Sequence, residues 1–198
     1  MTHNHKPAVV LVHGLWNTVN IFGRLRPYLE NQGWHVYAIS IKPNNGDIGI
    51  EQQAKQLDDF IRASLGERQP FSLVGFSMGG LASRYYLQRL GGLQRVQRFV
   101  GVAVPHYGSA LAWFRWNIGC VQMRPGSAFL TELNQDMEQL VTCRPLWLWT
   151  AYDLLVLPAH HCCLPIGESQ RLPVRTHDGM VWDERGLAAI AQGLKIKP

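Results

Sequence analysis

FSLVGFSMGG, residues 71–80, is an apolar run of strand type that enters the pattern Gly75-Phe76-Ser77-Met78-Gly79 and leaves into a helix-like stretch from Leu81 to Leu90. A serine flanked by glycines two residues before and two after reads as a nucleophile elbow. The chain turns so sharply between strand and helix that larger side chains there would collide, and the serine hydroxyl is left standing at the strand's end. The helix start then aims backbone N–H groups at any negative charge that forms beside Ser77. The bland alternative is a Gly-rich surface turn, and the strand before and helix after the motif argue against it.

Outward from this stretch, strand and helix patterns alternate. Ala8 to Val12 (AVVLV) is a continuous apolar run suited to a strand buried on both faces of a parallel sheet. Thr18 to Gln32 carries Phe22, Leu25 and Leu29 at helical spacing, with Gly33 as its stop, and Trp34 to Ile41 reads as a second strand. After a Pro-, Asn- and Gly-rich loop, Ala54, Leu57, Ile61 and Leu65 form another helical stripe, closed by Gly66. Val96 to Val104 and Leu146 to Thr150 read as further strands, and Val174 to Thr176 as the end of the last. Ser127 and Asp183 are placed to cap helices over 127–140 and after 183. The alternation predicts an α/β fold: one domain over residues 1–198, with a mostly parallel sheet and helices on both faces.

Composition narrows the function classes. The 198 residues are 46% hydrophobic and 17% charged, with a formal net charge of +5 whose Lys and Arg are scattered. A nucleic-acid partner calls for clustered basic residues, so none is expected, while a mild attraction to anionic surfaces or substrates follows from the sign. No apolar run reaches membrane-spanning length, and the N-terminal residues lack the pattern of a secretory leader, so the expectation is a soluble, cytoplasmic protein. Cys120, Cys143, Cys162 and Cys163 then read as reduced thiols.

In a sheet of this kind ligands bind beyond the carboxyl ends of the strands. That rule selects His13 to Trp16, Ser77 and Met78, His106, Tyr152 and Asp153, and His177. A serine hydroxyl needs a base, and the base an orienting acid; Ser77, Asp153, His177 has the chain order that this elbow calls for. Asp178 is a poorer acid because a neighbour in sequence rarely points back at the ring, and Asp136 reads as a solvated helix charge. His106, also at a strand end, reads as a structural histidine bonding loop carbonyls. The N–H groups of Met78 and Leu15 are the candidate oxyanion donors, with His13 as a support for the Leu15 loop. Trp16, Trp113, Phe114 and Trp116 are candidate substrate-binding residues, the last three from the aromatic segment Ala110 to Val121 placed either in the core or along the acyl site. His160, His161, Cys162 and Cys163 form a run too tight to wrap a tetrahedral ion, so no metal is expected there.

Taken as a set, HGLW, GFSMGG, PHYGS, RPGSAFLTEL, YDLLVLP and THDGMV, in this order and at these spacings, resemble the small lipase and esterase branch of the α/β-hydrolase family, most of all its minimal, nearly lidless bacterial members. The resemblance covers nearly the whole chain. It implies hydrolysis of carboxylic esters through an acyl-enzyme, with Ser77 as nucleophile, Asp153 and His177 as partners, Leu15 and Met78 as oxyanion donors, no cofactor, and a lipophilic ester or thioester as substrate. The His160–Cys163 run departs from the family pattern, which carries small polar residues there. Other readings are a thioesterase or amidase using the same mechanism, and a non-catalytic module of the same fold that binds through its aromatic segment.

Overall fold

The computed structural model describes residues 6–195; the part of the leader reading that rests on residues 1–5 lies outside the described residues. Six strands form one sheet: β1 Ala8–Val12, β2 His35–Ile39, β3 Phe71–Phe76, β4 Val96–Val102, β5 Leu146–Trp149 and β6 Glu168–Arg171, in the order β2-β1-β3-β4-β5-β6. Every pairing is parallel. The α-helices among the described residues are α1 Leu25–Glu30, α2 Ile50–Leu65, α3 Met78–Arg89, α4 Ile118–Gln122, α5 Ala128–Gln135 and α6 Glu184–Leu194.

The alternation of side chains along each strand feeds two cores. Ala8, Val10 and Val12 of β1 pack on one face with Leu57 and Ile61 of α2 and Leu81 and Tyr86 of α3. Val9 and Leu11 pack on the other with Leu25 and Leu29 of α1 and Leu187 and Ile190 of α6. Covering both faces lets a strand such as AVVLV be apolar at every position, since neither face meets water.

The chain runs from β1 to one side of itself to make β2, then to the other side to make β3. The strand order therefore reverses at β1, and a crevice opens beyond the carboxyl ends of β1 and β3. The β1 register, Val12 beside Gly75, sets the loop after β1 next to the serine turn after β3.

Several elements differ from the sequence reading. The segment from Thr18 splits into a 3-10 turn, Val19–Phe22, and the short α1. Pro27 accounts for the late start: lacking an N–H, it fits a first helical turn but not the interior of a longer helix. The helix capped by Ser127, whose side chain accepts from Leu130 N at 3.2 Å, ends at Gln135 and continues as 3-10 turns from Met137 to Cys143. The last strand is Glu168–Arg171, not one ending at Val174–Thr176. This exposed ESQR edge has no apolar pattern and is defined only by its pairing with β5.

Candidate active site

Ser77 sits between β3 and α3 with φ 53° and ψ −127°, a conformation that L-residues rarely adopt. Its neighbours explain how the turn is tolerated. A Cβ on Gly79 would stand 2.3 Å from His13 O, and one on Gly75 2.6 Å from Gly80 Cα. Gly14, after β1, approaches as closely: a Cβ there would lie 2.9 Å from that of Ser77. Glycine at these positions is thus a steric requirement of bringing the β1 loop against the serine turn.

That approach leaves two N–H groups unused. Neither Leu15 N nor Met78 N donates to a backbone carbonyl among the described residues, whereas Trp16 N is spent on Asn44 O at 2.7 Å and Ser77 N on Val102 O at 2.9 Å. Met78 is the first residue of α3, so its N–H is one that the helix cannot satisfy internally. His13 holds the loop. Its Nδ1–H donates to Gly14 O at 2.9 Å, while its Nε2 accepts from Ile41 N at 3.0 Å. Burial lowers its pKa against the opposing effect of the Gly14 carbonyl, so it stays neutral with both nitrogens occupied.

Asp153 and His177 meet from two loops. His177 Nδ1 donates to Asp153 Oδ2 at 2.7 Å, with both residues buried, and this is the one side-chain hydrogen bond that His177 makes among the described residues. The other carboxylate oxygen, Oδ1, accepts from Leu155 N at 2.8 Å and Val156 N at 2.9 Å. Burial pushes the Asp153 pKa up, but the His177 bond and charge and the two backbone donors outweigh it, and the carboxyl is held below its ordinary value. An ionised acid on Nδ1 fixes the imidazole tautomer that leaves Nε2 able to accept a proton. Asp178 opens onto the same cavity without bonding the ring.

Ser77 and His177 both line a cavity of about 340 Å³ at this end of the sheet. Its apolar wall comes from Leu15, Leu111, Ala112, Met123, Leu155 and Val156, and Trp16, Phe114 and Arg115 stand at its exposed side. Ser109 ties the wall together: its Oγ donates to Leu155 O at 2.8 Å and accepts from Leu157 N at 3.1 Å, joining the loop after β4 to the acid loop after β5. Sequence reasoning missed Leu155, Val156 and Met123 as wall residues; their one signal was proximity to Asp153 or to the aromatic segment.

The aromatic segment divides. It forms a 3-10 turn, Ala110–Phe114, and α4, and of its large aromatics only Phe114 reaches the cavity. Trp113 and Trp116 do not line it, contrary to expectation. They stand outside, 56% and 82% exposed, with the guanidinium of Arg124 at 4.7 Å from one ring and 4.8 Å from the other. The 3-10 turn ends at Phe114 and the chain is extended at Arg115, so the residues from Trp113 to Trp116 do not follow one face.

The remaining candidates have structural surroundings. His106 is buried, but it bonds a side chain and not loop carbonyls: Arg84 Nη1 donates to its Nδ1 at 3.2 Å, and its ring meets Trp147 edge-on. Burial and then the Arg84 charge drive its pKa well below the ordinary value, so it stays neutral. Asp136 is not a free solvated charge; it accepts from Gln88 at 2.7 Å and pairs with Arg89 at 2.6 Å. His160 to Cys162 lie on the 3-10 turn Ala159–Cys162, which Cys163 follows in extended conformation, with His161 Nδ1 donating to Gly108 O at 2.8 Å and Cys162 buried. Among the described residues no group of three or more His, Cys, Asp or Glu side chains is arranged to hold a metal.

The sequence model of the alpha/beta hydrolase fold family matches residues 7–128, more than half of the chain. The chain belongs to this family. The matched stretch runs from β1 through the serine turn to the start of α5, and so contains Ser77 and the loop after β1, while Asp153 and His177 lie beyond it. The bovine and human monoacylglycerol lipase ABHD6 are 26% identical over 89 residues, an alignment that takes in 41% of this chain and 26% of those proteins' own length. Among solved structures, the mature form of the Bacillus licheniformis lipase BlEst2 superposes with a TM-score of 0.80 at 16% identity, covering 99% of this chain and 95% of that one. Aspergillus fumigatus lipase B gives 0.80 at 15% identity, covering 97% and 53%. At these identities the likeness is one of fold.

Proposed function

We propose that this α/β hydrolase is a serine ester hydrolase of lipase or esterase type, one domain over residues 1–198, acting through an acyl-enzyme. The observation that carries this reading is the buried 2.7 Å contact between Asp153 and His177 at the wall of a cavity that Ser77 shares. The lipases among the relatives and structural neighbours support an ester as the substrate class.

In this mechanism Ser77 Oγ attacks the ester carbonyl carbon as its proton passes to His177 Nε2, and the imidazolium formed is stabilised by ionised Asp153. The negative charge on the carbonyl oxygen is met by Leu15 N–H and Met78 N–H, neither of which donates to a backbone carbonyl among the described residues. Collapse of this intermediate breaks the carbon–oxygen bond, His177 gives its proton to the departing alkoxide, and the acyl group stays on Ser77. Water then repeats the cycle, losing its proton to His177 and releasing the acid and free serine. None of these steps uses a metal or cofactor.

The apolar wall suits a lipophilic acyl chain, each buried methylene of which contributes up to ~0.8 kcal/mol. Four free thiols, three of them buried, fit a reducing compartment, and a cytoplasmic location is part of the proposal. The test is labelling with a fluorophosphonate probe, followed by p-nitrophenyl esters of rising chain length. Labelling of the native protein but not of Ser77→Ala is expected; equal labelling of a folded Ser77→Ala protein would refute the assignment.

A further inference from the structure

The end of the sheet that carries the cavity is ringed by large apolar side chains left open to solvent. Trp16, Phe114 and Leu155 belong to the cavity and are 54%, 79% and 54% exposed. Trp113 and Trp116 stand beside them on the outer side of the same segment. Tyr152 and Leu154, also exposed, line a second, open hollow of about 390 Å³ that shares Leu155, His177 and Asp178 with the first. Three separate loops, after β1, β4 and β5, thus supply one apolar collar around the cavity mouth. Contiguous exposure of this kind marks an interaction surface, because scattered apolar residues do not collect around one opening.

The charges in the collar say what covers it. The guanidinium of Arg115 lies 4.8 Å from the Trp16 ring centre, Arg124 lies against Trp113 and Trp116, and Arg175 lines the second hollow. None of the three has a carboxylate within ion-pair distance among the described residues. Of the acids near this end, Asp153 is buried on His177, Glu51 accepts from Gln122, Asp47 accepts from Asn45 and Asn117, and Asp178 lines both hollows. Indoles are amphipathic rings suited to the headgroup layer, and a guanidinium laid on an indole, as Arg115 is on Trp16, keeps edge N–H donors for phosphate oxygens, whereas Arg124 gives donors to Ala112 O and Arg115 O and contributes charge. The formal net charge of +5 acts in the same direction.

We propose that this collar docks the protein on the surface of an anionic phospholipid bilayer, reversibly and peripherally, with the cavity mouth facing the lipid. Among the described residues no helix is long and apolar enough to cross a membrane, so the attachment rests on side chains at the interface. Docking is independent of the catalytic reading, since it needs the collar and not Ser77.

The experiment is vesicle co-sedimentation of the full chain carrying Ser77→Ala, with phosphatidylcholine vesicles and with vesicles of phosphatidylcholine mixed with phosphatidylglycerol. Binding to the mixed vesicles, weakened by salt, is expected. Arg115→Ala with Arg175→Ala should lower the partition coefficient by roughly thirtyfold, about fivefold per arginine at the headgroup layer. Trp113→Ala with Trp116→Ala should also lower it several-fold, while circular dichroism and melting stay native for both pairs, whose side chains are exposed. Equal binding to both vesicle types, or full binding by the arginine pair, overturns the proposal. So does sedimentation velocity showing a dimer that the tryptophan pair dissolves, which would make a second copy the occupant. Failure of fluorophosphonate labelling in the native protein would strike the catalytic reading and leave vesicle binding untouched.

Discussion

Asp153→Asn is the most informative single change at the site, because it is nearly isosteric and reverses one hydrogen bond. Asp153 accepts three bonds, from Leu155 N, Val156 N and His177 Nδ1. The asparagine carbonyl oxygen can take over the two backbone bonds in place of Oδ1, which leaves its NH₂ facing His177. An NH₂ there donates, so Nδ1 must become the acceptor and the ring proton moves to Nε2, the atom that has to accept the serine proton. The loss in kcat is expected near 10⁴, the size of the same change in a comparable triad, or about 5.4 kcal/mol of barrier. Stability should fall by only about 1–3 kcal/mol, the cost of a buried hydrogen bond to a charge. The pH dependence has a definite sign. The folded pKa of Asp153 lies below its unfolded value, so its contribution is complete above the ordinary carboxylate range and is lost as pH falls through the lower folded value. The Asn variant should lack that share of the acid sensitivity. Steady-state hydrolysis of a soluble p-nitrophenyl ester, with melting curves from neutral to acid pH, measures both effects. A folded Asn variant within tenfold of native kcat would refute the reasoning, since Asp153 would then not set the tautomer.

Ser77→Ala should keep the fold and lose up to about a millionfold in kcat, read from ester turnover beside a melting curve. His106→Phe should cost far less activity than His177→Ala, because the His106 ring is sealed against Arg84 and Trp147 away from the cavity lining; near-equal losses would overturn the choice of base. Gly79→Ala drives a Cβ to 2.3 Å from His13 O, a backbone atom that cannot swing aside, and should destabilise by about 3 kcal/mol while lowering kcat through displacement of Met78 N–H; thermal melts and kinetics check it. Phe114→Ala should change the chain-length profile of kcat/KM and Trp113→Ala should leave its shape alone, since only the first side chain lines the cavity. Activity should survive EDTA and a thiol reductant; loss on chelation restored by zinc would reopen the His160–Cys163 run.

What could be read from the sequence was whatever local sterics and periodicity decide. The serine turn is legible because glycine is required wherever another atom lies within 3 Å of a side-chain position, and Gly75 and Gly79, against backbone, and Gly14, against the Ser77 Cβ, meet that condition in the fold. The β1 run and the α2 stripe closed by Gly66, at φ +64°, are likewise local patterns. Chain order and strand ends selected Asp153 and His177, although β6 lies earlier than its pattern suggested, because the loop between β6 and His177 spans the difference. Only the tertiary structure decided which way the aromatics face. A run of Trp, Phe, Arg and Trp has no period that separates inside from outside, and its assignment came from Arg124, eight residues beyond Trp116, taking both indoles outward. The same holds for β6, an exposed ESQR that is a strand because β5 offers it a partner, and for His106, whose bond comes from Arg84, 22 residues earlier. Contacts between residues far apart in sequence leave no mark on the local pattern of either partner, so they become visible only once the chain has closed on itself.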